Sequence, residues 1–175
     1  MRLTLLLAPW VLALTACNPG DDVDPADATA ALQAQRADVR GLVTTLATGA
    51  ASALGGRIAS ATGHWEGCES VFPEGHRSFR YRASSRVEAG SGVPRPYLDA
   101  LVTTLVDAGL PDPAPGERPG GRTLGGSRGG VEVRFSELPG EGDYVLLDAS
   151  GPCVEVPADQ REEWEGRPDP EPITG

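Results

Sequence analysis

The chain has 175 residues, with 15 basic and 25 acidic side chains and a formal net charge of −10. An acidic balance of this size argues against nucleic acid as a partner, because binding to nucleic acid depends on neutralising its phosphates. The length fits one domain with an ordinary hydrophobic core, which does not need a metal ion or a dense set of disulfides for stability.

The N-terminus has the layout of a secretory signal. Arg2 precedes an apolar run over residues 3–13, and the run ends in the sequence Leu-Thr-Ala-Cys at residues 14–17. The run is too short to span about 30 Å of hydrocarbon, which takes about 20 residues, and Pro9 interrupts it. We therefore expect a signal peptide and no permanent transmembrane helix.

The four residues 14–17 resemble the bacterial lipobox. That resemblance implies a diacylglycerol joined to the thiol of Cys17 through a thioether, cleavage before Cys17, and a further acyl chain such as palmitate on the new N-terminus. A diacylglyceryl group supplies the two chains that stable anchoring requires. We therefore expect a lipid-anchored protein on the extracytoplasmic face of the cell membrane, with no cofactor other than this lipid.

The chain divides into four predicted parts. Residues 1–16 are the signal peptide, and residues 17–26 are the lipidated cysteine and an acidic tether. Residues 27–157 form a single α+β domain. Residues 158–175 are an acidic, proline-rich tail, which we expect to be disordered unless Trp164 folds back onto the domain. Cleavage before Cys17 leaves 159 residues with a net charge of −11, because Arg2 is lost.

The cysteine count predicts one disulfide. If Cys17 carries lipid, Cys68 and Cys153 remain, and an even remainder in an oxidising compartment favours a bridge between them. A loop of 85 positions gives about 4.5 kcal/mol of stabilisation in the chain-entropy account. A free catalytic thiol is the alternative, although neither cysteine has a recognisable nucleophile motif around it.

Hydrophobic periodicity and turn residues predict an α+β fold. Asp24 and Pro25 begin a helix with one apolar stripe, which ends at the glycines 55–56. Residues 58–66 and 79–87 are predicted strands, and the second of these alternates strictly between apolar and polar positions. The remaining predicted segments are a helix from Pro96 to Gly109, a loop over 111–121, a strand at 122–124, a turn at 125–130, strands at 131–135 and 144–147, and a short strand at 154–156. The order α-β-β-α-β-β-β predicts a mostly antiparallel sheet of four to five strands with two helices on one face.

One face of this sheet carries a row of arginines, namely Arg80, Arg82, Arg86 and Arg134. Guanidinium groups could bind an anionic ligand or lipid headgroups. They could also pair with carboxylates on neighbouring strands, which is the interpretation that an acidic chain favours. We take these four arginines, with His64 and Trp65, as a possible ligand or partner surface.

Five side chains between residues 64 and 76 offer metal-compatible atoms: His64, Glu66, Glu69, Glu74 and His76. They contain neither His-x-x-x-His nor His-Glu-x-x-His, and a predicted turn separates the two histidines. We therefore predict no metal site and no catalytic residue here. An envelope enzyme, either a hydrolase or a metal-dependent enzyme, that uses the His64 and His76 region remains an alternative.

A Gly-x-Ser-x-Gly sequence at residues 125–129 matches the nucleophile elbow of hydrolases. That motif requires a strand, a tight turn and a helix, with the histidine later in the chain. Here a strand follows Ser127, and both histidines precede it. A glycine-rich hairpin turn explains the sequence better.

Taken in order, several features resemble the small LppA-like lipoproteins of actinobacteria. They are the lipobox and tether, an N-terminal helix, the sequence Trp-Glu-Gly-Cys at 65–68, a middle helix, a strand pair, Gly-Pro-Cys at 151–153 and the acidic end. The resemblance implies a cell-envelope lipoprotein and supplies no catalytic residue. We expect a monomeric, non-enzymatic module that binds an unknown envelope protein or a small ligand. A second alternative is an accessory or inhibitor protein that uses a sheet edge or the tail.

Overall fold

The computed structural model describes residues 23–68, 70–71, 75–137, 142–167 and 170–173. The predicted signal peptide, Cys17 and most of the tether lie outside the described residues. Glu69 and Glu74 of the metal-compatible group also lie outside them.

The first helix, α1, spans Pro25–Ala53. Asp24 caps it, and a carboxylate oxygen of Asp24 accepts a hydrogen bond of 2.8 Å from the amide of Ala26. The predicted start is confirmed, with proline in the first turn where its missing N–H costs nothing. Gly55 follows with φ of +54°, a conformation that lets the chain leave the helix and enter the sheet.

Eight of the described strands form one antiparallel sheet. Its strands are β1 (Arg57–Gly67), β4 (Ser78–Glu88), β5 (Ala114–Arg118), β6 (Gly121–Arg128), β7 (Val131–Glu137), β8 (Tyr144–Ser150), β9 (Val154–Glu155) and β10 (Glu171–Pro172). The order across the sheet is β10-β1-β4-β8-β7-β6-β5, and β9 pairs with the beginning of β4. A separate small hairpin joins β2 (Ser70–Val71) to β3 (Gly75–His76).

The helices cover one face of the sheet. A 3₁₀ helix, Tyr97–Leu101, leads into α2, Val102–Asp107, and both pack beside α1. Leu46 of α1, Tyr81 of β4 and Phe135 of β7 are fully buried in the same hydrophobic core. The predicted α+β class, with a mostly antiparallel sheet and helices packed on it, is confirmed, and no helix among the described residues packs on the opposite face.

The sheet extends further than the predicted four to five strands. Ala114–Arg118, which we predicted to lie within a loop, forms the edge strand β5 and pairs with β6 along its whole length. All five of its residues are exposed, so no hydrophobic alternation marks them as a strand. Pro115 is compatible with this position because an edge strand has one side without ladder hydrogen bonds.

The predicted turn at 125–130 is too long. Strand β6 continues to Arg128, and only Gly129 and Gly130, with φ of +58° and +83°, turn the chain into β7. Two successive positive φ angles are the requirement of a tight two-residue hairpin. Gly125 lies inside the strand, where a Cβ would overlap the carbonyl oxygen of Val133 on the neighbouring strand.

The described part of the segment after Pro157 is ordered, contrary to the predicted disorder, and Trp164 folds back onto the domain, which was the stated exception. Ala158–Gln160 is a 3₁₀ helix, Arg161–Glu165 is the helix α3, and β10 pairs with the outer edge of β1. Trp164 is only 2% exposed. The segment gains its order from contacts with the domain, since its own composition is acidic and rich in proline.

The predicted disulfide is present between Cys68 and Cys153. It joins the residue after β1 to the residue before β9, and so ties together two segments that meet the first residues of β4. Within the described ranges, no helix combines the length and the apolar character needed to cross a bilayer.

Candidate functional site

The face of the sheet opposite the helices carries the predicted arginines. In β4 the buried positions alternate with Arg80, Arg82 and Arg86, which point away from the core. A cavity of about 380 Å³ lies on this face. We call it the arginine groove; its charged and hydroxyl side chains are Arg80, Arg82, Arg118, Arg134, Glu132, Asp148, Ser136 and Ser150.

Strand register brings these side chains together. Arg82 on β4 lies opposite Ser150 on β8, and Ser150 in turn lies opposite Glu132 on β7. Arg134 lies opposite Asp148 in the same pair of strands. Directly opposed side chains on one face lie about 4.5–5.5 Å apart at Cβ, so the groove is built mainly from three adjacent strands, β4, β8 and β7.

The arginines of β4 that line the groove are paired with carboxylates. Arg80 places Nε and Nη2 each 2.9 Å from one oxygen of Glu66. Arg82 lies 3.6 Å from the other oxygen of Glu66 and 3.6 Å from Asp148. For these two residues the ion-pair interpretation of the arginine row describes the geometry.

Arg86 belongs to a different environment. Its guanidinium lies 4.0 Å from the centre of the Tyr144 ring, and its Nη2 lies 3.8 Å from a carboxylate oxygen of Glu88. It is not among the side chains that line the arginine groove. The structure therefore separates Arg86 from the other three predicted arginines.

Arg134 and Arg118 differ from the paired arginines. Within the described part of the chain, neither forms an ion pair, and Arg118 only approaches the hydroxyl of Ser136, at 3.4 Å. Sequence reasoning missed Arg118 because its strand was assigned to a loop. The Pro-Gly pair at 119–120, with φ of +79° at Gly120, is the turn signal that could have indicated a hairpin there.

A second polar cluster lies at the other edge of the sheet, around Glu171. The Tyr81 hydroxyl donates a hydrogen bond of 2.5 Å to Glu171, and Arg36 on α1 forms a two-point ion pair with the same carboxylate. Arg40 lies 3.2 Å from it. The hydrogen bond with Arg36 lowers the pKa of Glu171 to about 2, and the Tyr81 hydroxyl also favours the ionised carboxylate.

This cluster also affects Tyr81. Burial of its ring raises the pKa of the Tyr81 hydroxyl, and its hydrogen bond to the carboxylate of Glu171 raises it further. Gln35 of α1, only 7% exposed, accepts a hydrogen bond of 2.5 Å from the backbone amide of Tyr81 and donates one of 2.6 Å to the carbonyl of Pro152. The cluster therefore fixes α1, β4 and the C-terminal segment relative to each other.

Trp65 lies away from the arginine groove, whereas His64 is the register partner of Arg82 on β4 without being among the side chains that line the groove. With Tyr81, Arg167 and Glu171, both residues line a separate cavity of about 240 Å³. The Trp65 ring meets the Tyr81 and Trp164 rings edge to face, at centroid distances of 5.0 and 4.9 Å. Trp65 is therefore part of the packing that holds the C-terminal segment.

His76 lines another cavity, which it shares with Phe79, Trp164 and Glu165. Its backbone amide donates a hydrogen bond of 2.8 Å to Glu165, and its ring nitrogen lies 3.3 Å from the same oxygen. The hydrogen bond from the amide lowers the pKa of Glu165. His64 and His76 are thus not brought to one cavity, and the described residues contain no group of three or more His, Cys, Asp or Glu side chains placed to hold a metal ion.

No protein-family model matches the chain, and no curated protein matches it in sequence. Among solved structures, it is similar to the crystal structure of LppA from Mycobacterium tuberculosis, a lipoprotein by designation. The similarity covers 71% of this chain and 78% of the other, with 13% sequence identity and a TM-score of 0.43. At this distance no residue role and no function is carried over.

Proposed function

We propose that the chain is a lipid-anchored protein of the extracytoplasmic membrane face that binds a ligand or partner through the arginine groove and has no catalytic role. The anchor rests on the sequence at residues 14–17. The Cys68–Cys153 bridge supports the compartment, because disulfides persist in oxidising environments outside the cytoplasm.

The observation that carries the binding role is the concentration of positive charge on the open sheet face. Four arginines and two carboxylates line the groove, whereas the whole chain has a net charge of −10. A concave region whose charge is opposite to that of the rest of the molecule raises the local concentration of anionic groups. Among the described residues, no helix covers this face of the sheet.

The alternative of an envelope enzyme has less support. It depended on His64 and His76 acting together, and the two side chains line different cavities. The alternative of an accessory or inhibitor protein relied on a sheet edge or the tail. The tail loses support as a free capture segment, because Trp164 is buried against Trp65 and Phe79.

The anchor is tested on full-length protein extracted from membranes. The intact mass should show cleavage before Cys17 and the added mass of a diacylglyceryl group, with a further acyl chain where the N-terminus is acylated. The variant Cys17→Ser should appear in the soluble fraction. An unmodified Cys17 thiol in the membrane-extracted protein would exclude the anchor.

The binding role is tested by affinity capture from solubilised envelopes with the immobilised mature chain. The double variant R118Q/R134Q should lose the captured component. The control is R122Q, which removes one positive charge from the neighbouring strand β6, where Arg122 pairs with Asp99 at 3.3 Å. Equal capture by all three proteins would rule out the arginine groove as the binding surface.

A further inference from the structure

We propose that Arg118 and Arg134 form an oxyanion site within the arginine groove, and that its ligand is a small molecule or headgroup carrying a phosphate monoester. This inference rests on the proposed function, which assigns binding to the groove but leaves the chemistry of the ligand open. The four arginines of the groove have unequal environments.

Two of the four positive charges are already neutralised. Glu66 contacts both Arg80 and Arg82, and Asp148 contacts Arg82. Asp148 is also the register partner of Arg134, yet it forms its ion pair with Arg82. The paired arginines therefore form one wall of the groove, and the charge that can attract a ligand is concentrated at Arg118 and Arg134.

Arg134 has no side chain opposite it on β6, because its register partner there is Gly125. Arg134 is exposed on β7, and Arg118 reaches the same groove from the edge strand β5, two strands away. Arg118 reaches to within 3.4 Å of the hydroxyl of Ser136 on β7, and Ser136 lies two residues from Arg134 on the same face of that strand. A ligand oxygen beside Ser136 would thus lie near both guanidinium groups.

The donors of this site match a phosphate group. A guanidinium offers a planar pair of N–H donors to two oxygens of a phosphate. The hydroxyl of Ser136, which lies 3.4 Å from Arg118, adds a donor for a third oxygen. A phosphate monoester carries close to two negative charges at neutral pH, which matches the two positive charges of Arg118 and Arg134, the groove arginines that form no ion pair with the described residues.

The volume of the groove indicates that the ligand is larger than inorganic phosphate. About 380 Å³ falls in the range of roughly 300–1,000 Å³ that is usual for small-molecule sites. Glu132 and Ser150 lie on the side of the groove near the paired arginines. These two side chains offer hydrogen-bond acceptors to hydroxyl or amine groups on the rest of the ligand, so a phosphorylated polyol or a polar lipid headgroup fits the site.

The test is a calorimetric titration of the mature full-length protein in neutral detergent. The probes are glycerol 2-phosphate and nanodiscs that contain phosphatidic acid, with phosphatidylcholine nanodiscs as the blank. We expect saturable binding of at least one probe, weakened at least about tenfold in R118Q and in R134Q, since a charge-assisted contact is lost in each. R122Q should bind like the wild type, and all variants should keep the wild-type unfolding midpoint.

The two probes separate the sources of the phosphate. Binding of glycerol 2-phosphate identifies a soluble phosphate ester as sufficient, whereas binding only to phosphatidic acid identifies a lipid headgroup. Equal weakening in R122Q and R134Q would show a general charge effect and overturn the site. If neither probe binds while capture still depends on Arg118 and Arg134, the oxyanion inference fails and the proposed function stands.

Discussion

The hydroxyl of Tyr81, in the middle of β4, donates a hydrogen bond of 2.5 Å to Glu171, 90 residues later in the chain. Tyr81 is fully buried, and Glu171 lies in the two-residue strand β10 at the sheet edge. Because Arg36 and Arg40 hold the same carboxylate from α1, this one group connects the helix, the sheet and the C-terminal segment.

Replacement Glu171→Gln should lower the free energy of unfolding at pH 7. The fold favours the ionised carboxylate, since the pKa of Glu171 is lowered from 4.5 to about 2, chiefly by its hydrogen bond with Arg36. The side chain of Glu171 is 32% exposed and that of Arg36 is 36% exposed, so solvent screens their interaction. The expected loss of unfolding free energy is therefore about 1–2 kcal/mol. Urea unfolding of both proteins at pH 7 measures the loss.

The same carboxylate predicts a pH dependence. Its folded pKa lies below its unfolded pKa, so its contribution is complete above about pH 4.5 and is lost as the pH falls towards 2. The difference in unfolding free energy between wild type and E171Q should therefore shrink between pH 5 and pH 2.5, roughly. A difference that stays constant over this interval would contradict the ion cluster.

Replacement Gly63→Ala should destabilise the sheet beneath Tyr81. A Cβ at residue 63 would overlap the Tyr81 hydroxyl and ring, and the buried ring has no room to move away. Overpacking of this kind costs about 1–3 kcal/mol. Thermal unfolding monitored by circular dichroism gives the size of the effect.

The control for Gly63 is Gly41→Ala in α1, where a Cβ would meet no atom within 4 Å. Alanine is favoured over glycine by about 1 kcal/mol in a helix interior, so this variant should be as stable as the wild type or more stable. If both alanine variants behaved alike, the close approach of Gly63 to Tyr81 would not explain the result.

Replacement Trp164→Ala should destabilise the domain by about 3–5 kcal/mol, the range for removal of a buried large aromatic side chain. The indole packs on Trp65 and Phe79, so its loss opens a cavity at that place and frees the C-terminal segment. Limited proteolysis should then cut after Pro157 faster than in the wild type. Trp164→Phe keeps most of the apolar surface and should lose less stability; a neutral W164A variant would indicate a segment that does not pack.

Removal of the disulfide by the double variant C68S/C153S should lower the free energy of unfolding by about 2–5 kcal/mol, because the unfolded chain regains the freedom of an 85-position loop. In the wild type, urea unfolding with and without reductant measures the same loss of unfolding free energy. Peptide mapping without reductant should recover the linked pair. Alkylation of both thiols in that experiment would remove the bridge.

Much of the fold could be predicted from local patterns. The cap at Asp24, the alternation along β4 and the apolar stripe of α1 each depend on residues close in sequence, and each predicted element is present. The strand β5 was missed because all five residues are exposed, so its pairing with β6 leaves no hydrophobic pattern. The C-terminal segment was missed because its order depends on distant contacts such as Tyr81–Glu171.

The candidate site shows the same limit. The pairing of Arg80 and Arg82 with carboxylates followed from the excess of acid and from strand alternation. Which carboxylates take part could not be predicted, because Glu66 and Asp148 lie on different strands, one on each side of β4. Arg118 enters the groove only because β5 pairs with β6. All residues of β5 are exposed, so no burial pattern near Arg118 indicates that pairing.

Photo-crosslinking of the full-length protein in intact envelopes tests binding through the arginine groove most directly. A benzophenone amino acid replaces Ser150 in the arginine groove, or Thr103, an exposed residue on the helical side. We predict a discrete crosslinked product from position 150 that disappears with R118Q/R134Q, and none from position 103. Equal products from both positions, or a product from position 150 that is unchanged by R118Q/R134Q, would contradict binding through the arginine groove.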